Sequence, residues 1–169
     1  MTELPNSRPV VLVTGAARRV GAAIARTLHA AGYDLALHCR NSRSELDALI
    51  ADLEQQRASS TLALQAELAD VEALPDLVTD TIDRFGRLDG LVNNASTFYS
   101  TPLQSVTTKQ WDELFASNAR APFFLAKAAA SHLRERAGAI VNLLDIYAQR
   151  PLPGYSVYSM AKAAQAAMT

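Results

Sequence analysis

Val11–Gly21 reads VLVTGAARRVG. An apolar run suited to a buried parallel strand breaks at Thr14-Gly15, and a second glycine, Gly21, opens the next segment. That order is a strand, a tight turn and a helix start. A helix N-terminus offers free N–H groups and a partial positive charge, so the turn is a natural anion site. Gly15 permits the tight turn and Gly21 lets the helix start lie close to it. Arg18 and Arg19 occupy places where such loops usually carry small residues.

The rest of the chain repeats the rhythm. Strands are predicted at 10–13, 34–39, 61–65, 88–94 and 139–144. Helices are predicted at 21–32, 44–57 (with Ser44 as cap), 72–85 (with Pro75 in its first turn and Gly86 as its stop) and 108–136 (broken near Pro122). A last helix runs from Ser156 to the end. Leu46, Leu49, Ile50 and Leu53 share the inward face of the second helix. Strands joined by helices imply parallel neighbours with right-handed crossovers, hence an α/β, doubly wound, Rossmann-type sheet. With no linker or internal repeat, residues 1–169 are expected to form one domain.

Composition narrows the function classes. The 169 residues are 49% hydrophobic with a net charge of -1, which argues against a nucleic-acid or anionic-membrane surface. No apolar run approaches the ~20 residues of a membrane helix. The first nine residues lack the basic and apolar blocks of a signal peptide. The single cysteine, Cys39, excludes an intrachain disulfide and fits a reduced, cytoplasmic setting. His29, His38 and His132 are scattered, with no metal-ligand spacing, so no metal site is expected.

In a dinucleotide-binding sheet, a carboxylate at the end of the second strand would hold the ribose hydroxyls of NAD. Here the segment reads HCRNSRS, with His38, Arg40 and Ser42 and no acid before Glu45. Arginines and a hydroxyl attract the 2′-phosphate that a carboxylate would repel, so NADPH is expected over NADH. In the last helix, Tyr158 and Lys162 stand four residues apart on one face. An ammonium beside a phenol favours the phenolate and is expected to lower its pKa. Asp145 ends the fifth strand, on the side where open α/β sheets bind ligands. Each feature also has a plainer reading: surface packing for the Tyr/Lys pair, a turn cap for Asp145. Asn118, inside the long helix, fits either a satisfied core amide or a group holding water or lysine near a site.

Together, Thr14-Gly15 with Gly21, the NNA of 93–95, Asn118, and Tyr158 with Lys162 resemble the short-chain dehydrogenase/reductase family. Within it the chain is most similar to the pteridine reductases. Arg19 replaces the usual middle glycine, NNASTFYSTPL (93–103) carries a serine and a phenylalanine, and Asp145 stands where most members have serine. The resemblance implies NADPH-dependent reduction of pterins of the dihydropterin or dihydrofolate type. Tyr158 would be the proton donor, helped by Asp145, with Lys162 and Asn118 completing the catalytic set. Thr14, Gly15, Arg19, Val20, Gly21, His38, Arg40, Ser42, Glu67, Leu68, Asn94, Ala95 and Ser96 would hold the cofactor, with Tyr158 and Lys162. Arg19, Ser96, Phe98, Asp145 and Tyr158 would meet the substrate, Phe98 by stacking.

A homo-oligomer, dimer or tetramer, is also implied, through alanine-rich faces of the long and last helices (Ala126, Ala128–Ala130, Ala161, Ala163, Ala164). Two alternatives stand beside this: a general carbonyl or 3-oxoacyl reductase, for which serine is expected at 145, and a non-catalytic remnant. The family normally continues past Thr169 with two more strands and a substrate-covering segment. The resemblance therefore implies that this is part of a longer polypeptide, with strand five at an exposed edge. A truncated gene, or a partner strand that completes the sheet, would also account for the missing elements. If the 169 residues were all there is, weak or absent reductase activity is expected.

Overall fold

A computed structural model describes residues 8–169. The tail that lacks signal-peptide character falls mostly within residues 1–7, outside the described residues. The elements run in order: β1 (Val10–Val13), α1 (Arg19–Ala30), β2 (Asp34–Cys39), α2 (Arg43–Gln56), β3 (Thr61–Gln65), α3 (Leu74–Phe85), β4 (Gly90–Asn93), α4 (Thr108–Phe115), α5 (Ala121–Glu135), β5 (Ala139–Asn142) and α6 (Ser156–Ala167). All five strands are parallel, in the order β3-β2-β1-β4-β5. The chain leaves β1 for β2 on one side and later returns to β4 on the other. The crevice between β1 and β4 is therefore the topological switch point, where such sheets bind ligands.

The sheet is covered on both faces because successive strand residues point opposite ways. Leu12, Ala36, Leu64 and Leu91 pack with Leu74, Leu77 and Val78 of α3 and Leu125, Ala129 and Leu133 of α5. Val11, Val13, Leu35 and Leu37 pack with Ala25 of α1 and Leu46, Leu49 and Leu53 of α2. β1 and β2 are buried along their whole length. That is why they read as continuous apolar runs rather than alternating ones. Asp34, at the start of β2, is buried and paired with Arg57 at 3.3 Å.

Three local expectations change. α2 begins one residue earlier than predicted, with Ser42 rather than Ser44 at the cap position; the Ser44 hydroxyl instead donates to Glu45 at 3.0 Å. Pro122 does not break the long helix, because it lies in the first turn of α5, where a missing N–H is tolerated. The interruption comes just before it, as a π-helical turn over Ala116–Arg120. β4 and β5 span four residues each and are shorter than the predicted 88–94 and 139–144. β5 is the sheet's edge, and Ile140 and Val141 on it are exposed. Of the alanine faces, Ala129 and Ala161 are fully buried within the chain itself.

Candidate active site

The loop after β1 is built around two glycines and the segment after β4. Gly15 has φ +62, the left-handed region, and a Cβ there would sit 2.9 Å from Ala95 Cα. A Cβ on Gly21 would meet the Gly15 carbonyl oxygen and the Asn94 amide nitrogen, the latter at 2.6 Å. Asn94 ties the two loops together: its Nδ2 donates to the carbonyls of Thr14 (2.8 Å) and Gly15 (3.0 Å). Thr14 answers by accepting at Oγ1 from the backbone N–H groups of Asn94 and Ala95, both at 3.1 Å. The start of α1 thus opens on a cleft lined by Gly15, Gly21 and Asn94.

Apart from Thr14, Tyr158 and Lys162, every residue assigned to the cofactor by resemblance lines this one cleft of about 440 Å³. Arg18, which had no role by resemblance, lines it too. It is largely exposed and pairs with Glu45 at 3.4 Å. Arg40 lies 3.7 Å from Glu67 across the same wall. Such exposed pairs are worth little and yield to a stronger anion. Arg19 stands with φ +50, the left-handed conformation that a glycine adopts without strain.

His38 is placed differently from expectation. Its ring is buried, with Nδ1 accepting from Gly15 N–H at 3.3 Å and Nε2–H donating to the Ala66 carbonyl at 3.1 Å. Burial pushes its pKa down, so the ring is neutral near pH 7. Both nitrogens are engaged in bracing the turn, and the basic character of this wall comes from Arg18, Arg19 and Arg40.

At the carboxyl end of β5, Asp145 has extended backbone and accepts from the Tyr147 N–H at 3.0 Å. Its other oxygen accepts from the Tyr158 hydroxyl at 2.9 Å. Burial and the Asp145 carboxylate push the Tyr158 phenol up to about 12, with Ser96 acting weakly the other way. This reverses the expectation of a lysine-lowered phenol. Lys162 Nζ sits 6.0 Å from the centre of the Tyr158 ring and donates instead to the Leu143 carbonyl (2.8 Å) and to Gln165 Oε1 (2.9 Å). Burial lowers Lys162 to about 8, Asp145 opposing.

Asn118 resolves as a satisfied buried amide that also shapes the site. From the π-helical turn, its Nδ2 donates to the carbonyls of Thr97 (2.9 Å) and Leu114 (3.0 Å), and its Oδ1 accepts from Ser96 Oγ at 2.7 Å. The wider π turn lets the side chain reach the 96–97 loop instead of the next helical turn. Phe98 leaves that loop half-exposed and stacks flat on Tyr155 (4.7 Å, 10°), with its edge contact to Tyr158 at 4.8 Å. The loop is pinned by Thr101 N–H to the Gly154 carbonyl (2.7 Å) and Ser100 Oγ to the same oxygen (3.0 Å). Tyr155, seven residues from Lys162 where Tyr158 is four, is thus the partner of Phe98.

This arrangement has counterparts. The family model described as short chain dehydrogenase matches residues 9–169. Pteridine reductase 1 of Leishmania tarentolae is 39% identical over 100% of this chain and 71% of its own length. A 3-oxoacyl-(acyl-carrier-protein) reductase of Staphylococcus aureus is 32% identical over 94% of this chain and 64% of its own length. Versicolorin reductase 1 of Aspergillus parasiticus is 35% identical over 92% of this chain and 59% of its own length. The chain therefore spans between 59% and 71% of the length of these relatives. With a parallel sheet, a glycine turn locked by Thr14 and Asn94, and a tyrosine and lysine one helical turn apart beside it, the chain belongs to the short-chain dehydrogenase family of oxidoreductases.

Proposed function

We propose that this protein uses NADPH to reduce a pterin-type ring. The observation that carries the reading is the 2.9 Å hydrogen bond from Tyr158 to Asp145 beside the exposed face of Phe98. A ketone needs one proton, delivered to the oxygen that gains charge, and a hydroxyl partner for the tyrosine suffices. A ring nitrogen takes up a proton once hydride has reached the neighbouring carbon, and a carboxyl group beside the phenol forms a relay for it: Tyr158 would give its proton to the nitrogen, and Asp145 would pass one taken up from solvent back to the phenolate. The 39% identity to a protein named pteridine reductase points the same way.

The cradle would take a diphosphate at the N-terminus of α1, where Gly15 and Gly21 line the cleft and their missing Cβ atoms let the turn pack against Asn94 and Ala95. Bound NADPH would supply the hydride. Arg18, Arg40 and Ser42 would hold its 2′-phosphate, and Lys162 its nicotinamide-side ribose. Asp145 keeps the Tyr158 proton directed and keeps the phenol neutral across the physiological range. Phe98, backed by Tyr155, gives a flat wall for one face of an aromatic substrate at small entropy cost. Arg19 is exposed and lines the cleft, where it would meet cofactor phosphate and substrate ring.

A second reading, reduction of a 3-oxoacyl or other carbonyl substrate, draws on the 32% identity to the 3-oxoacyl reductase. Asp145, in place of serine, weighs against it. Tyr158→Phe is expected to bind NADPH as the wild type does, by fluorescence titration, and to lose at least ~100-fold in turnover. NADH bound more tightly than NADPH would remove the 2′-phosphate assignment.

A further inference from the structure

Gln165 is completely buried on α6, one turn beyond Lys162. Its Oε1 accepts from the Lys162 ammonium at 2.9 Å. Its Nε2 has no hydrogen-bond partner among the described residues. Exchanging the two ends of the amide would aim an NH₂ group at an ammonium, so the orientation is fixed by chemistry. A buried amide nitrogen without a partner carries a desolvation cost, and an apolar side chain of the same size would avoid it. Among the described residues, the polar contact that the Gln165 side chain does make is the one to Lys162.

That contact alters what Lys162 can do. An ammonium has three N–H donors. Leu143 and Gln165 take two of them, which leaves one. The Tyr158 hydroxyl gives its own proton to Asp145. Asp145 is the charged group whose field reaches Lys162, and Tyr158 is the titratable ring on its own helix. Of the elements packed against α6, the Ile146–Ala148 turn brings Tyr147, α4 carries Lys109, Asp112 and Glu113, and the Ala116–Arg120 turn carries Arg120; among the described residues the charge that acts on Lys162 is still that of Asp145.

We infer that Gln165 is a positioning residue, whose neutral oxygen keeps the buried Lys162 protonated and, with the Leu143 carbonyl, fixes where its ammonium stands. The inference rests on the reading of Lys162 as part of the reaction site. It goes beyond that reading in assigning the lysine's charge state to a residue one turn further along. A neutral acceptor suits the task, since it stabilises the ammonium without an anion that would compete with Asp145 for the tyrosine.

The chain has three lysines, Lys109, Lys127 and Lys162, so a lysine-labelled NMR titration resolves each amine. In the wild type, the Lys162 midpoint is expected near 8. Gln165→Met, which keeps the volume and removes the acceptor, is expected to lower it by roughly one pH unit, about a tenfold change in the equilibrium. Gln165→Leu, which likewise removes the acceptor, is expected to lower it in the same direction, and it decides the matter if the methionine variant does not fold. A purely structural glutamine would change the melting temperature and leave the Lys162 midpoint in place in both variants, which overturns the inference. The high-pH limb of NADPH-dependent turnover should move with the NMR midpoint. A midpoint that moves while the rate limb stays supports the role of Gln165 and removes Lys162 from the reaction.

Discussion

At the scale of single residues, the backbone of Arg19 and the charge of Lys162 each give a test of the proposed site. Arg19 has φ +50, where a side chain costs on the order of 1 kcal/mol relative to glycine. Arg19→Gly should therefore raise stability by about 0.5–1 kcal/mol in urea unfolding, and lower kcat/KM for substrate. Loss of stability would mean that the guanidinium holds the loop together. Lys162 is the second case. Its ammonium is buried and its pKa falls to about 8 from the ordinary 10.5. Below pH 8 both folded and unfolded chains carry the proton, and the cost of burying the charge is fully present. Between pH 8 and 10.5 the unfolded chain holds more protons than the folded one, so this group's contribution to stability rises with pH. The stability gap between Lys162→Met and wild type should shift by up to about 3 kcal/mol across that window, in favour of the wild type at high pH. A gap that does not vary with pH would show that Lys162 titrates normally.

At the scale of elements, the π-helical turn between α4 and α5 and the glycine turn before α1 do the positioning. Asn118 makes four hydrogen bonds from the π turn, to Ser96, Thr97, Leu114 and its neighbour Ser117. Asn118→Leu strands at least one buried carbonyl. It should cost about 1–3 kcal/mol and reduce turnover more than NADPH affinity, since the loop it holds carries Ser96 and Phe98. An unchanged urea midpoint would mean that the loop stands without it. Gly21→Ala should act oppositely, weakening NADPH at least ~10-fold, because its Cβ collides with the cradle itself. Calorimetric titration separates the two effects.

These elements also mark how far sequence reaches. The strands were legible because a buried parallel strand is a short unbroken apolar run, as in VVLV, and the glycine turn because its chemistry is local. The π turn was not, since ASNAR carries no pattern distinct from a helix. Nor was the fate of His38, whose ring meets Gly15 and Ala66, 23 and 28 residues away. The lysine that spacing placed beside the phenol proved to be claimed by Leu143, 19 residues away on another segment, as well as by Gln165, three residues further along its own helix.

At the scale of the whole molecule, the order β3-β2-β1-β4-β5 brings distant pieces of chain to one rim. The turn after β1, the basic segment after β2, the Asn94–Phe98 loop after β4 and Asp145 after β5 all open on the same side. One wall of the cleft is basic through Arg18, Arg19 and Arg40, while Asp145, Tyr158 and the flat face of Phe98 on Tyr155 make the corner proposed for the reaction. That division is the basis for reading the molecule as a pterin reductase rather than a ketone reductase. The most direct measurement is spectrophotometric NADPH oxidation by purified protein, offered a dihydropterin and, separately, a 3-oxoacyl thioester. The account predicts oxidation dependent on the pterin, with kcat/KM at least ~100-fold above that for the thioester, and its loss in Tyr158→Phe. Turnover of the thioester with none of the pterin would contradict it.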